Sequence, residues 1–126
     1  MFKRIDHVEI VTGNLEATLS FYQNILGFKL KEKMEMNRGS LQAIVFLTLG
    51  DTMLEVLGVK DPAPATTDML QAGYRIMALE VDDMDKTVAY LRTKGIELSS
   101  PYRTMGNSKR GEMKDNNGFI IELRQW

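Results

Sequence analysis

The sequence predicts an α+β fold made of two tandem βαβββ modules in a single domain, residues 1–126. The length of 126 residues suits one compact domain with a real core. Residues 7–24 and 76–93 share one pattern: a short apolar run, a polar turn and a helical stretch. Further along, "GDTMLEV" aligns with "NGFIIEL", so that Glu55 matches Glu122 and both copies end on a strand.

The first module covers about residues 4–59. It opens with the strand "HVEIV", which begins on His7, the one histidine of the chain. Asn14 is placed to cap a helix with one apolar stripe, formed by Leu15, Leu19 and Tyr22. Gly27 stands where a left-handed helix end favours glycine. Three strand-like segments follow: "FKLKEKMEM", "LQAIVFLTLG" and "TMLEVLGV".

The second module covers about residues 74–126, after a proline-containing linker at 60–73 that could hold one helical turn. It repeats the order of the first. The strand "IMALEV" leads to Asp83 as a helix cap, and Gly95 matches Gly27. The remaining predicted strands are "IELSSPYRT", "GEMKDNNG" and "FIIELRQW", with "DNNG" as a tight turn.

Composition excludes several classes of function. With 16 Lys+Arg against 17 Asp+Glu, the chain predicts no nucleic-acid partner and no anionic-membrane surface. It has no signal-like apolar run at its start and no segment near the roughly 20 apolar residues of a membrane span. The absence of cysteine excludes thiolate sites and favours the cytoplasm. We therefore expect a cytoplasmic protein whose partners include neither nucleic acid nor a membrane.

Strand alternation gathers the chemically distinctive residues on one face. That face carries His7, Glu55, Ile76 and Glu122 among the apolar residues Met53, Leu57, Ala78 and Ile120. The opposite face, expected to pack under the helices, carries Val8, Ile10, Leu54, Val56, Met77, Leu79, Val81, Ile121 and Leu123. Taken singly, such a histidine or glutamate is most often structural or solvent-facing. Their repeat-related positions favour a shared site, because polar groups on an apolar face need a partner.

Four stretches together resemble the vicinal oxygen chelate superfamily: "IDHVEIVTGNLEATLSFYQNILGFKL", "TMLEV", "IMALEVDDMDKTVAYLRTKGIEL" and "KDNNGFIIELRQW". This superfamily includes glyoxalase I, methylmalonyl-CoA epimerase, extradiol dioxygenases, and fosfomycin and bleomycin resistance proteins. The resemblance covers nearly the whole chain. It implies the glyoxalase/bleomycin resistance fold, in which the modules form a curved mixed sheet with a concave cup, and it implies a homodimer.

The resemblance also implies a divalent metal ion in the cup, one of Mn, Fe, Ni, Zn or Mg. When the ligand positions of the family are transferred to this sequence, the implied metal ligands are His7, Glu55 and Glu122. The resemblance further implies that Glu122 or Glu55 moves a proton. The fourth ligand position falls on Ile76, which has no lone pair. One imidazole and two carboxylates would balance the charge of the cation, leave positions open for substrate oxygens, and suit Mn²⁺, Fe²⁺ or Mg²⁺.

Three functions compete. The first is a metal-dependent lyase or isomerase, similar to lactoylglutathione lyase or an epimerase, acting on a small oxygen-rich substrate through an enediolate-like intermediate. The second is a metal-free protein that binds a small molecule or antibiotic, as bleomycin-resistance members do. The third, a dioxygenase, is disfavoured by the missing second histidine.

The predicted substrate contacts are Ile76, Met53, Leu57, Ala78, Ile120 and Arg103. Arg103 belongs to the basic loop "SSPYRTMGNSKRGEMKDNNG", whose family equivalent lies near the mouth of the cup. Such a loop suits an anionic substrate group such as a carboxylate, and an exposed, solvated loop is the alternative. The residues do not identify the substrate.

Overall fold

The structure, a computed structural model, describes all residues from Met1 to Trp126. The chain divides into two compact units, Met1–Ala65 and Thr66–Trp126. Each unit holds one helix packed on one mixed four-stranded sheet, and the two sheets have equivalent strand orders, β1-β4-β3-β2 and β5-β8-β7-β6. The predicted α+β fold of two βαβββ modules is confirmed.

The first unit follows the predicted order of elements. Strand β1 spans Val8–Thr12 and helix α1 spans Leu15–Ser20, which continues as a π-helical turn, Phe21–Ile25. Strands β2, β3 and β4 follow at Lys29–Arg38, Leu41–Leu49 and Thr52–Val59. Strand β1 pairs in parallel with β4, whereas β2 with β3 and β3 with β4 pair antiparallel.

Local contacts explain why this helix begins and ends where it does. The side chain of Asn14 accepts a hydrogen bond from the Ala17 amide at 3.1 Å, as a helix cap does. Gly27 has φ +81°, the left-handed conformation expected at the helix end. A β-carbon at Gly58 of β4 would lie 3.2 Å from the Leu15 side chain, so the missing side chain lets the helix approach the sheet.

Aromatic and aliphatic side chains between α1 and its sheet make the core of the first unit. Its buried apolar members are Phe21, Tyr22, Phe28, Ala43, Val45, Leu47, Leu54 and Val56. The expectation that Val8 packs under the helix was wrong, since Val8 is 44% exposed. Val8 begins the edge strand β1, which has a partner on one side only.

The second unit has shorter elements. Strand β5 spans Met77–Glu80 and helix α2 spans Met84–Thr93; strands β6, β7 and β8 span Arg103–Met105, Ser108–Lys114 and Ile120–Gln125. Strand β5 is parallel to β8, and β7 is antiparallel to both β6 and β8. The core of this unit consists of Met84, Leu91, Met113, Ile121 and Leu123.

Helix α2 and the last turn form as predicted. Asp83 accepts a hydrogen bond from the Lys86 amide at 3.1 Å and caps the helix. In the turn between β7 and β8, the Asp115 carboxylate accepts the amides of Asn117 at 2.8 Å and Phe119 at 2.9 Å. Gly118 has φ +82°, as a tight turn requires.

One expectation for this half was wrong. The strand predicted from Ile96 onward is reduced to the three residues of β6. Pro101 precedes it and has no amide to donate to a strand partner. The linker, residues 60–73, contains the boundary between the units and one hydrogen-bonded turn, in which the Gln71 amide donates to the Asp68 carbonyl at 3.3 Å. Nowhere in the structure does a helix have the length and apolar character needed to cross a membrane.

Candidate metal centre

The first unit brings His7 and Glu55 into direct contact. His7 immediately precedes β1, and β1 lies parallel to β4 with Glu9 opposite Glu55. Side chains at alternate positions of these neighbouring strands therefore share one face. The Nε2 atom of His7 lies 2.9 Å from Oε2 of Glu55. Glu55 is only 8% exposed, so this carboxylate has little water to solvate it.

Glu9 joins this pair, although the sequence analysis did not select it. Its Oε1 atom lies 3.3 Å from Nε2 of His7. The potential ligand atoms of His7, Glu9 and Glu55 all lie within 4.8 Å of one another. The signal that could have found Glu9 is its spacing, because residues two apart in a strand point to the same face.

Asp6 orients the imidazole through the ring nitrogen that does not face Glu55. The Nδ1 atom of His7 lies 2.8 Å from Oδ2 of Asp6. A metal-binding histidine commonly donates its second ring N–H to a carboxylate in this way, which leaves the other nitrogen free to bind the ion. The ring of Phe46 meets the imidazole edge to face, with 5.9 Å between the ring centroids, and limits its rotation.

The charges of this cluster shift the pKa values of its members. The hydrogen bond that His7 donates to Asp6 is the main cause that raises the pKa of His7, and Glu9 adds to it. Burial is the main cause that raises the pKa of Glu55, followed by the negative charge of Glu9. Accepting this hydrogen bond from His7 lowers the pKa of Asp6. Without a cation, the imidazole therefore favours its protonated form between carboxylates.

The donor set fits a divalent cation. An ion beside Nε2 of His7 would replace a proton and would meet carboxylate oxygens of Glu9 and Glu55 that already converge there. One imidazole with two carboxylates is a ligand set typical of Mn²⁺ and Fe²⁺, and Glu9 and Glu55 offer the oxygens that Mg²⁺ prefers. The cluster lies entirely within the first unit.

The second unit carries apolar residues at the matching places. Strand β5 pairs with β8 so that Ala78 lies opposite Glu122, as Glu9 lies opposite Glu55. Ala78 thus takes the place of Glu9, and Ile76, just before β5, takes the place of His7. Of this equivalent set only Glu122 can ligate a cation.

Glu122 is ion-paired with two arginines of its own unit. Its Oε2 atom accepts a hydrogen bond from Nε of Arg110 at 2.9 Å. Its Oε1 atom lies 3.6 Å from Nη1 of Arg124, which is beyond hydrogen-bond distance. One oxygen of Glu122 is therefore held by an arginine, and the other accepts no hydrogen bond. The convergence of Glu122 with His7 and Glu55 stays a prediction.

The predicted substrate contacts lie in both units. Met53 and Leu57 are half-buried on the Glu55 face of β4. Ala78 and Ile120 flank the Glu122 position on β5 and β8. Arg103 is exposed on β6, directly opposite Arg110 on β7. Their contact with a substrate stays a prediction.

The chain belongs to the Glyoxalase/Bleomycin resistance protein/Dioxygenase superfamily, whose family profile matches residues 4–123. The resemblance seen in the sequence is thus confirmed. Members of this superfamily often use divalent metal ions and act on small molecules.

The chain is also similar to named relatives and to a solved structure. The chain is 30% identical to human mitochondrial methylmalonyl-CoA epimerase over 130 residues, covering 97% of this chain and 73% of the epimerase. It is 31% identical to lactoylglutathione lyase of Neisseria meningitidis serogroup B, covering 97% and 90% of the two chains. A crystal structure of a glyoxalase family protein from Enterococcus faecalis superposes with a TM-score of 0.84 at 28% identity, over 98% of each chain.

Proposed function

We propose that this protein is a metal-dependent lyase or isomerase that moves a proton next to a carbonyl group of a small, oxygen-rich substrate. The observation that carries the proposal is the contact of 2.9 Å between His7 and the buried Glu55, with Glu9 and Asp6 arranged around the same imidazole. A divalent cation, when bound, supplies Lewis-acid stabilisation of negative charge on substrate oxygens.

His7 and Glu55 are the central ligands in this proposal. Ile76 has no atom that can bind a metal ion. In this proposal Glu9, a residue of the first unit, supplies a ligand atom instead. Glu122 is the further ligand that the sequence predicts. Its Arg110-bound Oε2 supports this role, because ligating carboxylates are usually hydrogen-bonded by a neighbouring side chain.

Glu55 and Glu122 are the proposed proton carriers. Burial raises the pKa of Glu55, and a pKa closer to neutral improves a carboxylate as a general acid and base. The apolar side chains Met53, Leu57, Ile76, Ala78 and Ile120 are proposed to exclude water from the substrate. Arg103 is proposed to contact an anionic substrate group at the edge of this surface.

The relatives support an enzyme of this class. Two of them, each at least 30% identical over most of this chain, are named as an epimerase and a lyase. We extend only the reaction class to this protein and leave the substrate open. A homodimer of single-domain subunits in the cytoplasm completes the proposal, supported by the family resemblance and by the absence of cysteine. Light scattering on the purified protein tests the dimer.

Metal analysis is the first test. Protein purified without chelator is analysed for bound metal and then titrated calorimetrically with Mn²⁺, Ni²⁺ and Zn²⁺. We expect one cation to bind per chain and His7→Ala to abolish this binding. Absence of binding at millimolar cation would overturn the proposal.

Proton exchange is the second test. The metal-loaded protein is incubated in D₂O with methylmalonyl-CoA or with S-lactoylglutathione, and deuterium incorporation next to the carbonyl is followed by NMR. Glu55→Gln is expected to stop the exchange, whereas Glu16→Gln, an exposed carboxylate on α1, leaves it unchanged. Exchange that proceeds equally in Glu55→Gln would contradict the role of Glu55.

A further inference from the structure

The turn between β7 and β8 contains an asparagine followed directly by a glycine, Asn117–Gly118. In such a pair the backbone nitrogen of the second residue can attack Cγ, the carbonyl carbon of the asparagine side chain. Glycine in the second position has no β-carbon to hinder that attack. Asn117 is the one asparagine of the chain that a glycine follows, so it has the least steric protection.

Asp115 holds each group that this reaction would use. The backbone N–H of Gly118 donates to the Asp115 carbonyl oxygen at 3.1 Å. The side-chain nitrogen of Asn117, Nδ2, lies 3.5 Å from Oδ2 of Asp115. The other carboxylate oxygen, Oδ1, accepts the backbone amides of Asn117 at 2.8 Å and of Phe119 at 2.9 Å. Asp115 therefore holds the attacking nitrogen, the leaving nitrogen and the backbone around them.

Burial strengthens the hold of Asp115 on this turn. Asp115 is only 6% exposed, so water competes little for its hydrogen bonds. Its own backbone amide donates to the Phe119 carbonyl at 2.9 Å and closes the turn. While the turn stays closed, the Gly118 N–H is directed at the Asp115 carbonyl oxygen and is not available to react with the side chain of Asn117.

We propose that Asn117 is a site of spontaneous deamidation and that Asp115 controls its rate. The hydrogen bonds of Asp115 keep Asn117 intact in the folded protein, and opening of the turn releases the Gly118 nitrogen. Such opening does not require the rest of the unit to unfold, because proteins open locally where the structure is least stable. This inference concerns the second unit alone and is independent of the proposed function.

Water is the only co-reactant that the modification needs. Hydroxide removes the proton of the Gly118 N–H, and that nitrogen forms a bond to Cγ of Asn117. The bond between Cγ and Nδ2 then breaks, and Nδ2 takes up protons from water and leaves as ammonia. Water opens the resulting cyclic succinimide at either carbonyl, which gives aspartate or isoaspartate at this position. No group is oxidised or reduced.

Both products disturb the turn. Each carries a new carboxylate close to the buried carboxylate of Asp115, and like charges disfavour each other's ionised form. Isoaspartate also routes the main chain through its side chain, which lengthens the turn and displaces Gly118 from the Asp115 carbonyl. Because this turn joins the strands that pair Lys114 with Ile120, we expect the modified protein to unfold at a lower denaturant concentration.

The test compares folded and unfolded full-length protein in mildly alkaline buffer, without and with guanidinium chloride. Peptide mass spectrometry follows the conversion of Asn117, and enzymatic carboxyl methylation detects isoaspartate. We expect conversion about tenfold or more slower in the folded protein, the effect of hydrogen bonds to a charged group. Asn107 is the internal control: Ser108 follows it and has a β-carbon, so in the unfolded chain Asn107 should convert more slowly than Asn117.

Two variants test the role of Asp115 in the folded protein. Asp115→Ala should speed the conversion of Asn117 about tenfold or more. Asp115→Ser keeps a hydroxyl oxygen that accepts hydrogen bonds more weakly, so its rate should lie between those of Asp115→Ala and the unaltered protein. Asp82→Ala is the matched control, an exposed aspartate of the same unit, and should leave the rate unchanged.

Amide hydrogen exchange distinguishes opening of the turn from unfolding of the whole unit. In Asp115→Ala and Asp115→Ser, the Gly118 amide should exchange faster, whereas the amide of Leu123, a buried residue of the inner strand β8, should stay protected. Loss of protection at both amides would mean that Asp115 acts on the whole unit and would overturn its local role.

Three further results would overturn the inference: no conversion of Asn117 in the unfolded chain, equal rates in the folded and unfolded chains, or no faster conversion in the Asp115 variants than in Asp82→Ala. None of them bears on cation binding at His7, on which the proposed function depends.

Discussion

His7 and Glu55 meet at 2.9 Å through atoms Nε2 and Oε2, although they lie at opposite ends of the first module. The parallel pairing of β1 with β4 produces this contact, and Asp6 and Glu9 complete it from the same short segment. An imidazole enclosed by three carboxylates is costly unless it is protonated or bound to a cation.

Glu9→Gln is predicted to weaken cation binding about tenfold or more, because an amide oxygen replaces a charged ligand. The measurement is calorimetric titration with Mn²⁺. Glu16→Gln serves as the control, since this residue is acidic and exposed but lies on α1. Equal affinities for Glu9→Gln and the unaltered protein would show that Glu9 is not a ligand.

Ile76→His is predicted to tighten cation binding about tenfold. Ile76 precedes β5 as His7 precedes β1, so a histidine there would restore the fourth ligand of the duplicated arrangement. Zn²⁺ and Ni²⁺ should gain most, because imidazole suits them. The control is Ile96→His, a half-buried position after α2. If the two variants bind cations alike, the fourth position has been placed wrongly.

The sequence supplied the fold and part of the site. His7, Glu55 and Glu122 could be selected because they occupy equivalent strand positions in two similar modules. Glu9 was missed because its counterpart is Ala78, so the comparison of the modules gave no signal there. The ion pairs of Arg110 with Glu112 and Glu122 could not be foreseen, since they depend on the register that sets Glu112 of β7 opposite Glu122 of β8.

Asp6→Asn is predicted to lower the pKa of His7, because a neutral amide replaces the carboxylate whose hydrogen bond contributes most to raising it. His7 is the one histidine, so a single imidazole signal reports the pKa in an NMR titration of chelator-treated protein. The raised pKa stabilises the folded state below the pKa of the unfolded chain, and that contribution is lost as the pH rises through the folded pKa. The control Asp51→Asn should leave the pKa of His7 unchanged. If Asp51→Asn shifts this pKa as much as Asp6→Asn does, the contact between Asp6 and His7 is not the cause of the raised pKa.

Asp85 is predicted to stabilise the second unit at neutral pH and to lose this effect in acid. This pH dependence is opposite to the one that the raised pKa of His7 produces. Tyr102 donates a hydrogen bond to it at 2.5 Å and Lys109 at 2.9 Å, and these contacts hold the pKa of Asp85 below its ordinary value, the Tyr102 bond contributing most. A lowered pKa contributes stability above the pKa of the unfolded chain, about 3.9, which is lost as the pH falls through the folded pKa.

The corresponding experiment compares urea unfolding of Asp85→Asn and the unaltered protein at pH 7 and near pH 2. The variant should be less stable at pH 7, and the difference should shrink in acid as the carboxylate of the unaltered protein takes up its proton. Asp82→Asn, an exposed aspartate beside the start of α2, is the control and should show no such difference. A deficit of Asp85→Asn that stays constant with pH would mean that the side chain acts through packing rather than through its charge.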